Sequence, residues 1–288
     1  MWADSPGDKS LRRGAKMNGP LIGPAKRNRA KPAVLPRAQP DWAFFLDVDG
    51  TLLALAAAPA GVTVGRGLKQ TLGQLSAAAG GAVALVSGRQ IREVDSLFAP
   101  LRLPTAGQHG VERRNSSGVV HRHAVPSHRF SEIKSRLGPL VARHPGLLLE
   151  EKGFTLAIHY RQVPSLGGHL HRLLRERVNS AADLRLQRGK MVLEIVPKGS
   201  DKGIAISEFM SESPFRGRIP VFLGDDVTDE FGFSVVNAMN GHSIKVGPGR
   251  SAARWRLPDV HAVRSWLKQC AGTLAPAQPG EQSRERAR

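Results

Sequence analysis

The sequence predicts an α/β protein in which a smaller α+β domain is inserted into a parallel-sheet core. Short apolar runs alternate with helical periodicity in two separate stretches of the chain, a pattern typical of βαβ units. Between these stretches, hairpins and helices follow one another in an order that favours an antiparallel sheet. A length of 288 residues is sufficient for both units.

The first stretch of alternating elements covers residues 41–112, and we assign it to the first part of the core. Phe44–Val48 is a short apolar run that predicts a buried strand. In the two helices predicted after this strand, Leu, Ile and Val residues recur at helical spacing and form one apolar face. The elements predicted next are a helix over Val64–Ala79, a strand over Ala82–Val86, a helix over Ile91–Phe98 and a short strand over Pro104–Gly110.

The pattern changes in residues 113–196, which we assign to the inserted α+β domain. Gly110–Val125 is expected to form a hairpin, because Asn115-Ser116-Ser117-Gly118 is a turn sequence between two short runs. The other elements predicted here are helices over Phe130–His144 and Leu166–Ala181, and strands over Leu147–Glu151, Phe154–Tyr160, Leu184–Gln187 and Met191–Val196.

The βαβ pattern returns in residues 197–270, the predicted second part of the core. Ser200 or Asp201 can cap a helix that begins at Lys202. The predicted elements are helices over Lys202–Met210, Phe231–Met239 and Val260–Leu267, and strands over Ile219–Leu223 and Ser243–Val246. Residues 1–40 and 271–288 are rich in Pro, Gly and Ala without periodicity, so we expect disordered tails.

The net charge of +18 is concentrated partly in those tails. We expect them to aid solubility rather than to bind nucleic acid, because no aromatic residues are interleaved with the basic ones. The alternative is a basic binding protein that contacts nucleic acid through Arg12, Arg13, Arg27 and Arg29. One cysteine, Cys270, excludes an internal disulfide. With no apolar run of membrane-spanning length and no secretory signal, we expect a cytoplasmic protein without a membrane partner.

Polar side chains follow several predicted strands. Asp47 and Asp49 follow the first strand, Ser87 the second, and Asp225 with Asp226 a later one, while Lys202 begins a helix. Because ligands bind at the carboxyl ends of parallel strands, we expect these groups to converge. Each residue could instead be a local turn, cap or strand-end group. The recurrence of such groups at successive strand ends favours a site.

These residue types suit phosphoryl transfer. Asp47 can attack phosphorus, and Asp49 can donate a proton to the leaving oxygen and later accept one from water. Ser87 and Lys202 can hold the phosphoryl oxygens as charge develops. Mg²⁺ prefers oxygen ligands, of which Asp47 and Asp225 would supply two.

Four motifs resemble those of the haloacid-dehalogenase-like phosphatases and stand in the family's order: DVDGT, VSGR, DKG and GDDVTDE. The resemblance implies a Rossmann-like core with an inserted cap domain. It implies catalytic roles for Asp47, Asp49, Ser87, Lys202 and Asp229, a substrate contact for Arg89, and Mg²⁺ held by Asp47, Asp49, Asp225 and Asp226.

The segments GQHGVERR, EEKGFTLAIHYR and GKMVLEIVP resemble the trehalose-6-phosphate phosphatases, and the similarity runs from about Ala43 to Leu267. It implies magnesium-dependent hydrolysis of trehalose 6-phosphate through an aspartyl-phosphate, the last step of trehalose biosynthesis. The sugar contacts implied in the cap are Glu150, Lys152, Arg161, Lys190 and Glu194, and His109 matches a further family position.

Several alternatives stay open from the sequence. The substrate could be another sugar phosphate, of the sucrose phosphate or mannosyl phosphoglycerate type. Glu150 with Lys152, and Lys190 with Glu194, could form same-face ion pairs without function. His109 could be a hinge or packing residue, and His159 could face either the cleft or solvent. The sequence leaves the oligomeric state undetermined.

Overall fold

The computed structural model describes residues 35–55, 63–123, 127–179, 181 and 183–275, all of which belong to one unit of the chain. Most of the two tails predicted to be disordered lies outside these ranges, including the four arginines named for nucleic-acid contact. The described ends of both tails are ordered into the core instead. Ala38 and Ala271 are buried, and the last helix continues to Leu274.

The larger sheet contains eight strands: β1 (Trp42–Leu46), β2 (Val83–Val86), β3 (Thr105–Gly107), β4 (Glu112–Arg114), β5 (Val120–Arg122), β10 (Ile219–Gly224), β11 (His242–Val246) and β12 (Trp255–Leu257). Their spatial order is β12-β11-β10-β1-β2-β3-β4-β5. The six strands from β12 to β3 pair in parallel, and β4 and β5 add an antiparallel hairpin. The predicted parallel α/β core is confirmed.

Helices cover both faces of this sheet: α1 (Arg66–Ala78), α2 (Ile91–Phe98), α5 (Lys202–Met210), α6 (Asp229–Ala238) and α7 (Val260–Leu274). Alternating residues of β1 face opposite cores. Phe44 and Leu46 pack with α1, α2 and α7, whereas Ala43 and Phe45 pack with α5 and α6. A strand buried on both faces explains why β1 is a continuous apolar run.

The smaller sheet contains four antiparallel strands: β6 (Leu148–Glu151), β7 (Leu156–His159), β8 (Leu184–Gly189) and β9 (Val192–Pro197), in the order β6-β7-β9-β8. Two helices, α3 (Ser127–Arg143) and α4 (Gly167–Asn179), bury apolar residues against it. Ile133 and Leu170, for example, belong to a hydrophobic cluster separate from the two clusters of the larger sheet. A separate core fits an inserted domain.

Two features differ from the sequence expectations. The hairpin β4–β5 pairs with β3, so residues 113–122, expected in the insertion, extend the larger sheet. We therefore propose that the insertion begins after Arg122 and ends near Pro197. Strand β12 was not predicted, because its three residues include the exposed Arg256 and show no clear alternation. Within the described ranges, no helix is long and apolar enough to cross a membrane.

Candidate active site

The carboxyl ends of β1, β2 and β10 form one edge of the larger sheet. Leu46 of β1 lies opposite Leu223 of β10 and Leu85 of β2. The next residue, Asp47, remains tied to this frame because its backbone N–H donates to the Leu223 carbonyl at 3.0 Å. The strand pairing thus brings together Asp47 and Asp225, which lie far apart in the sequence.

Lys202 links two buried carboxylates at this edge. Its Nζ donates to Asp47 Oδ1 at 2.7 Å and to Asp229 Oδ1 at 2.6 Å. Lys202 is the first residue of α5. The N-cap residue Asp201 accepts a hydrogen bond from the Ile204 N–H at 2.8 Å, so the capped helix end fixes the position of the Lys202 backbone. Asp229 Oδ2 accepts the backbone N–H groups of Asp225 and Asp226, each at 2.8 Å.

Burial and neighbouring charge change the acidity of this group. Burial raises the pKa of Asp47 well above its usual value; Lys202 opposes the shift, and Asp229 and Asp225 add to it. Burial likewise raises the pKa of Asp225. Burial disfavours the charged form of Lys202, but Asp229 and Asp47 outweigh it and raise the lysine pKa. Burial thus disfavours ionisation of Asp47 and Asp225 even though each has a lysine partner.

Asp47, Asp225 and Asp229 could hold a metal ion. One oxygen from each lies within 4.8 Å of the others. Asp47 Oδ2 is buried, and no residue within the described ranges donates a hydrogen bond to it, so this oxygen could take a cation. Carboxylate oxygens suit Mg²⁺. Among the residues that the structure describes, Asp49 and Asp226 lie outside this group, and their predicted role as ligands stays a prediction.

Gly50 allows the Asp225 carboxylate to approach the β1 loop. Its φ is +87°, and a Cβ placed there would lie 2.2 Å from Asp225 Oδ2. The glycine in DVDGT is thus needed for space as well as for its backbone conformation.

Asp49, the second carboxylate of the DVDGT segment, pairs with Arg89. Its two oxygens accept Arg89 Nε and Nη2, both at 2.7 Å, and this hydrogen bonding raises the pKa of the guanidinium. Ser87 is fully buried, and its Oγ accepts the Arg89 backbone N–H at 3.1 Å. Ser87 therefore orients the Arg89 loop, and its contact with phosphate stays a prediction.

A cavity of about 550 Å³ separates the larger sheet from the smaller one. This volume falls in the range usual for small-molecule sites. All the predicted site residues line it except Ser87 and Asp229, namely Asp47, Asp49, Arg89, His109, Glu150, Lys152, Arg161, Lys190, Glu194, Lys202, Asp225 and Asp226. The fold thus gathers the residues of the core motifs and those of the insertion around one space.

The wall contributed by the insertion is a network of paired charges. Glu194 Oε1 accepts Lys152 Nζ at 2.7 Å, and Glu194 Oε2 lies 2.5 Å from His109 Nε2. Burial opposes charge on Glu194, but His109 and Lys152 lower its pKa well below the usual value. Glu150 Oε2 lies 2.8 Å from His159 Nε2, and this hydrogen bond lowers the pKa of Glu150.

These contacts bear on three alternatives left open by the sequence. Lys190 and Glu194 are not partners: Lys190 contacts Asp225 of the core, and Glu194 contacts Lys152 and His109. His159 faces the cavity rather than open solvent. His109 is a buried residue of the core that reaches across to the insertion.

Two residues near the site had not been identified from the sequence. Lys245 is buried and donates from Nζ to the backbone oxygen of Asp225 at 2.6 Å, so it supports the acidic loop. The single charged residue in the apolar run Ser243–Val246 was a detectable signal. Gln108 has a φ of +48°, and its Oε1 accepts the Phe154 backbone N–H at 3.2 Å. The sequence carried no indication of that contact.

Comparison with known proteins gives a consistent result. The model of the family described as Trehalose-phosphatase matches residues 45–260. The chain is 44% identical over 239 residues to the trehalose-6-phosphate phosphatase of Escherichia coli (strain K12), covering 83% of this chain and 90% of that protein. It is 43% identical over 234 residues to a probable trehalose-phosphate phosphatase of Sinorhizobium fredii, covering 80% and 88%.

Solved structures share the fold. The C-terminal domain of trehalose-6-phosphate phosphatase from C. albicans aligns with a TM-score of 0.75 and 20% identity, covering 82% of this chain and 94% of that one. A trehalose-6-phosphate phosphatase related protein aligns with a TM-score of 0.65 and 26% identity, covering 80% and 97%.

Proposed function

Because the chain belongs to the trehalose-phosphatase family, we propose that it hydrolyses trehalose 6-phosphate to trehalose and inorganic phosphate. The observation that carries this proposal is a cavity that is shared by two different walls. One wall presents Asp47, Asp49 and Lys202, which suit phosphoryl transfer, and the other presents Glu150, Lys152 and Glu194. Carboxylates and ammonium groups are directional partners for sugar hydroxyls.

In the first half of the reaction, the Asp47 carboxylate attacks phosphorus and the bond from phosphorus to the sugar oxygen breaks. Asp49 donates its proton to that leaving oxygen, which yields trehalose and a phosphorylated Asp47. Lys202 keeps Asp47 oriented and offsets charge on the transferring group. Arg89 holds Asp49 at the cavity wall and can also face the phosphoryl oxygens.

In the second half, water attacks phosphorus while Asp49 takes its proton. The bond to Asp47 breaks, phosphate leaves and both aspartates return to their starting forms. Mg²⁺ held by Asp47, Asp225 and Asp229 would offset the repulsion between the anionic nucleophile and the anionic substrate. Asp229 meanwhile keeps Lys202 and the backbone of Asp225 in place.

The insertion serves as the cap over the substrate. Its network of Glu150, Lys152, Glu194 and His159 would bind the sugar and help exclude water during transfer. We propose that Arg161 and His109 complete this wall, since both line the cavity.

Phosphate release tests the proposal directly. Trehalose 6-phosphate, glucose 6-phosphate and sucrose 6-phosphate are compared, each with Mg²⁺ and with a chelator. We expect release from the trehalose ester only, lost with the chelator. Release from another ester would keep the mechanism and overturn the substrate, and release from none would overturn both.

A further inference from the structure

Lys190 is a residue of the cap that contacts the acidic group of the core. It lies in the turn between β8 and β9, and its Nζ donates to Asp225 Oδ2. The turn packs closely on the core here, because a Cβ at Gly189 would lie 3.3 Å from Asp226 Oδ2. The Lys190 side chain is 48% exposed, whereas that of Asp225 is 5% exposed.

The two lysines of the acidic group are held differently. Lys202 is buried at the start of a capped helix and bridges Asp47 and Asp229. Lys190 is half-exposed on a turn, and its one ion pair among the described residues is with the carboxylate of Asp225. The backbone of Asp225 is fixed by core residues, since its N–H donates to Asp229 and its carbonyl accepts from Lys245. The Lys190 contact can therefore be lost without disturbing the Asp225 loop.

We infer that Lys190 and the divalent cation compete for the carboxylate of Asp225. The ammonium group is held against Oδ2 of the carboxylate that would supply one ligand to the cation, and two positive charges so close together repel each other. Cation binding thus releases Lys190 and removes one tie between cap and core. The freed ammonium group can then face the substrate phosphate. This inference rests on the proposed cation site.

Calorimetric titration with Mg²⁺ tests the competition without measuring turnover. In Lys190→Met the competing charge is gone, so we expect Mg²⁺ to bind about two- to fivefold more tightly than to the unaltered protein, as befits a half-exposed ion pair. Lys198→Met is the matched control: it removes an exposed lysine that follows β9, and we expect unchanged affinity.

Equal or weaker Mg²⁺ binding by Lys190→Met would overturn the competition while leaving the cation site intact. Absence of Mg²⁺ binding by the unaltered protein would overturn the site and the inference together. Asp225→Asn shows whether the measured Mg²⁺ binds at this carboxylate, since this variant should lose binding whether or not Lys190 competes.

A second measurement uses the unaltered chain and so does not depend on a variant folding. Acylation of Lys190 by an amine-reactive reagent is followed by mass spectrometry with and without saturating Mg²⁺. We expect the rate at Lys190 to rise with Mg²⁺, because an ammonium group held against a carboxylate is shielded from the reagent, and the rate at Lys198 to stay constant. An unchanged rate at Lys190 despite measured Mg²⁺ binding would overturn the inference.

Discussion

The two walls of the cavity are both rich in paired charges, but burial dominates the acidity of the core carboxylates, whereas basic partners dominate that of the cap carboxylates. Asp47 and Asp225 in the core have raised pKa values, chiefly because they are buried. Glu150 and Glu194 in the cap have lowered pKa values, because basic partners outweigh burial. The core wall is thus suited to receive a cation and an anion, whereas the cap wall is suited to neutral hydroxyl groups.

The largest expected effect comes from removing the core nucleophile. Asp47→Asn keeps the shape but cannot form the phosphorylated intermediate, so we expect kcat to fall more than ~10³-fold. The thermal midpoint should not fall, because the replacement removes a buried charge whose ionised form the site disfavours. Retained turnover would contradict the assignment of the nucleophile.

The second effect concerns stability of the core wall. Lys202→Met leaves Asp47 and Asp229 buried without their shared cation, and we expect a loss of about 3–5 kcal/mol in the free energy of unfolding. Chemical denaturation measures it. Adding Asp229→Asn should restore part of the loss, since one uncompensated carboxylate is removed. A change below about 1 kcal/mol would show that Lys202 is not the main charge partner.

A smaller effect is expected from the cap wall. Glu150→Gln removes a charged acceptor for a sugar hydroxyl, so KM for trehalose 6-phosphate should rise about tenfold while kcat changes little. Glu132→Gln is the control, because Glu132 is an exposed carboxylate of α3 that pairs with Arg136. A fall in kcat at unchanged KM would instead give Glu150 a role in the chemical step.

The smallest effect is the opposite pH dependence of stability at the two walls. Glu194 has a lowered pKa in the folded protein. Its ionised form therefore stabilises the fold at pH values above its usual pKa of about 4.3, and that stability is lost as the pH falls toward the pKa of the folded state. Asp47 has a raised pKa, so its ionisation costs stability as the pH rises above about 3.9.

Denaturation at several pH values separates these contributions. Between about pH 4.3 and 3, the unaltered protein should lose more stability than Glu194→Gln. Above about pH 4, Asp47→Asn should gain stability relative to the unaltered protein as the pH rises. Parallel curves for all three proteins would remove the contrast between the walls.

The sequence was sufficient to predict the core side of the site, because βαβ units bring successive strand ends to one edge. Asp47, Lys202 and Asp225 converge as expected. Asp229 joins them because α6 begins at that residue, two positions before the predicted start, and its side chain turns back to the preceding loop.

The cap side depended on register, which the sequence could not supply. A straight strand would place Lys190 and Glu194 on one face, but Met191 has a φ of +62° and β9 begins only at Val192. Lys190 therefore points to the core. Glu194 lies opposite Ala157 of β7 and contacts Lys152 in the turn between β6 and β7, a tertiary contact between residues 42 positions apart.

The most direct test of the contrast compares two esters in two variants. For trehalose 6-phosphate and for p-nitrophenyl phosphate, which has no sugar, kcat/KM is measured in the unaltered protein, Asp47→Asn and Glu194→Gln. We expect Asp47→Asn to abolish hydrolysis of both esters, and Glu194→Gln to reduce only that of trehalose 6-phosphate, by about 10- to 100-fold. An equal loss for both esters in Glu194→Gln would contradict the division of chemistry and sugar binding between core and cap.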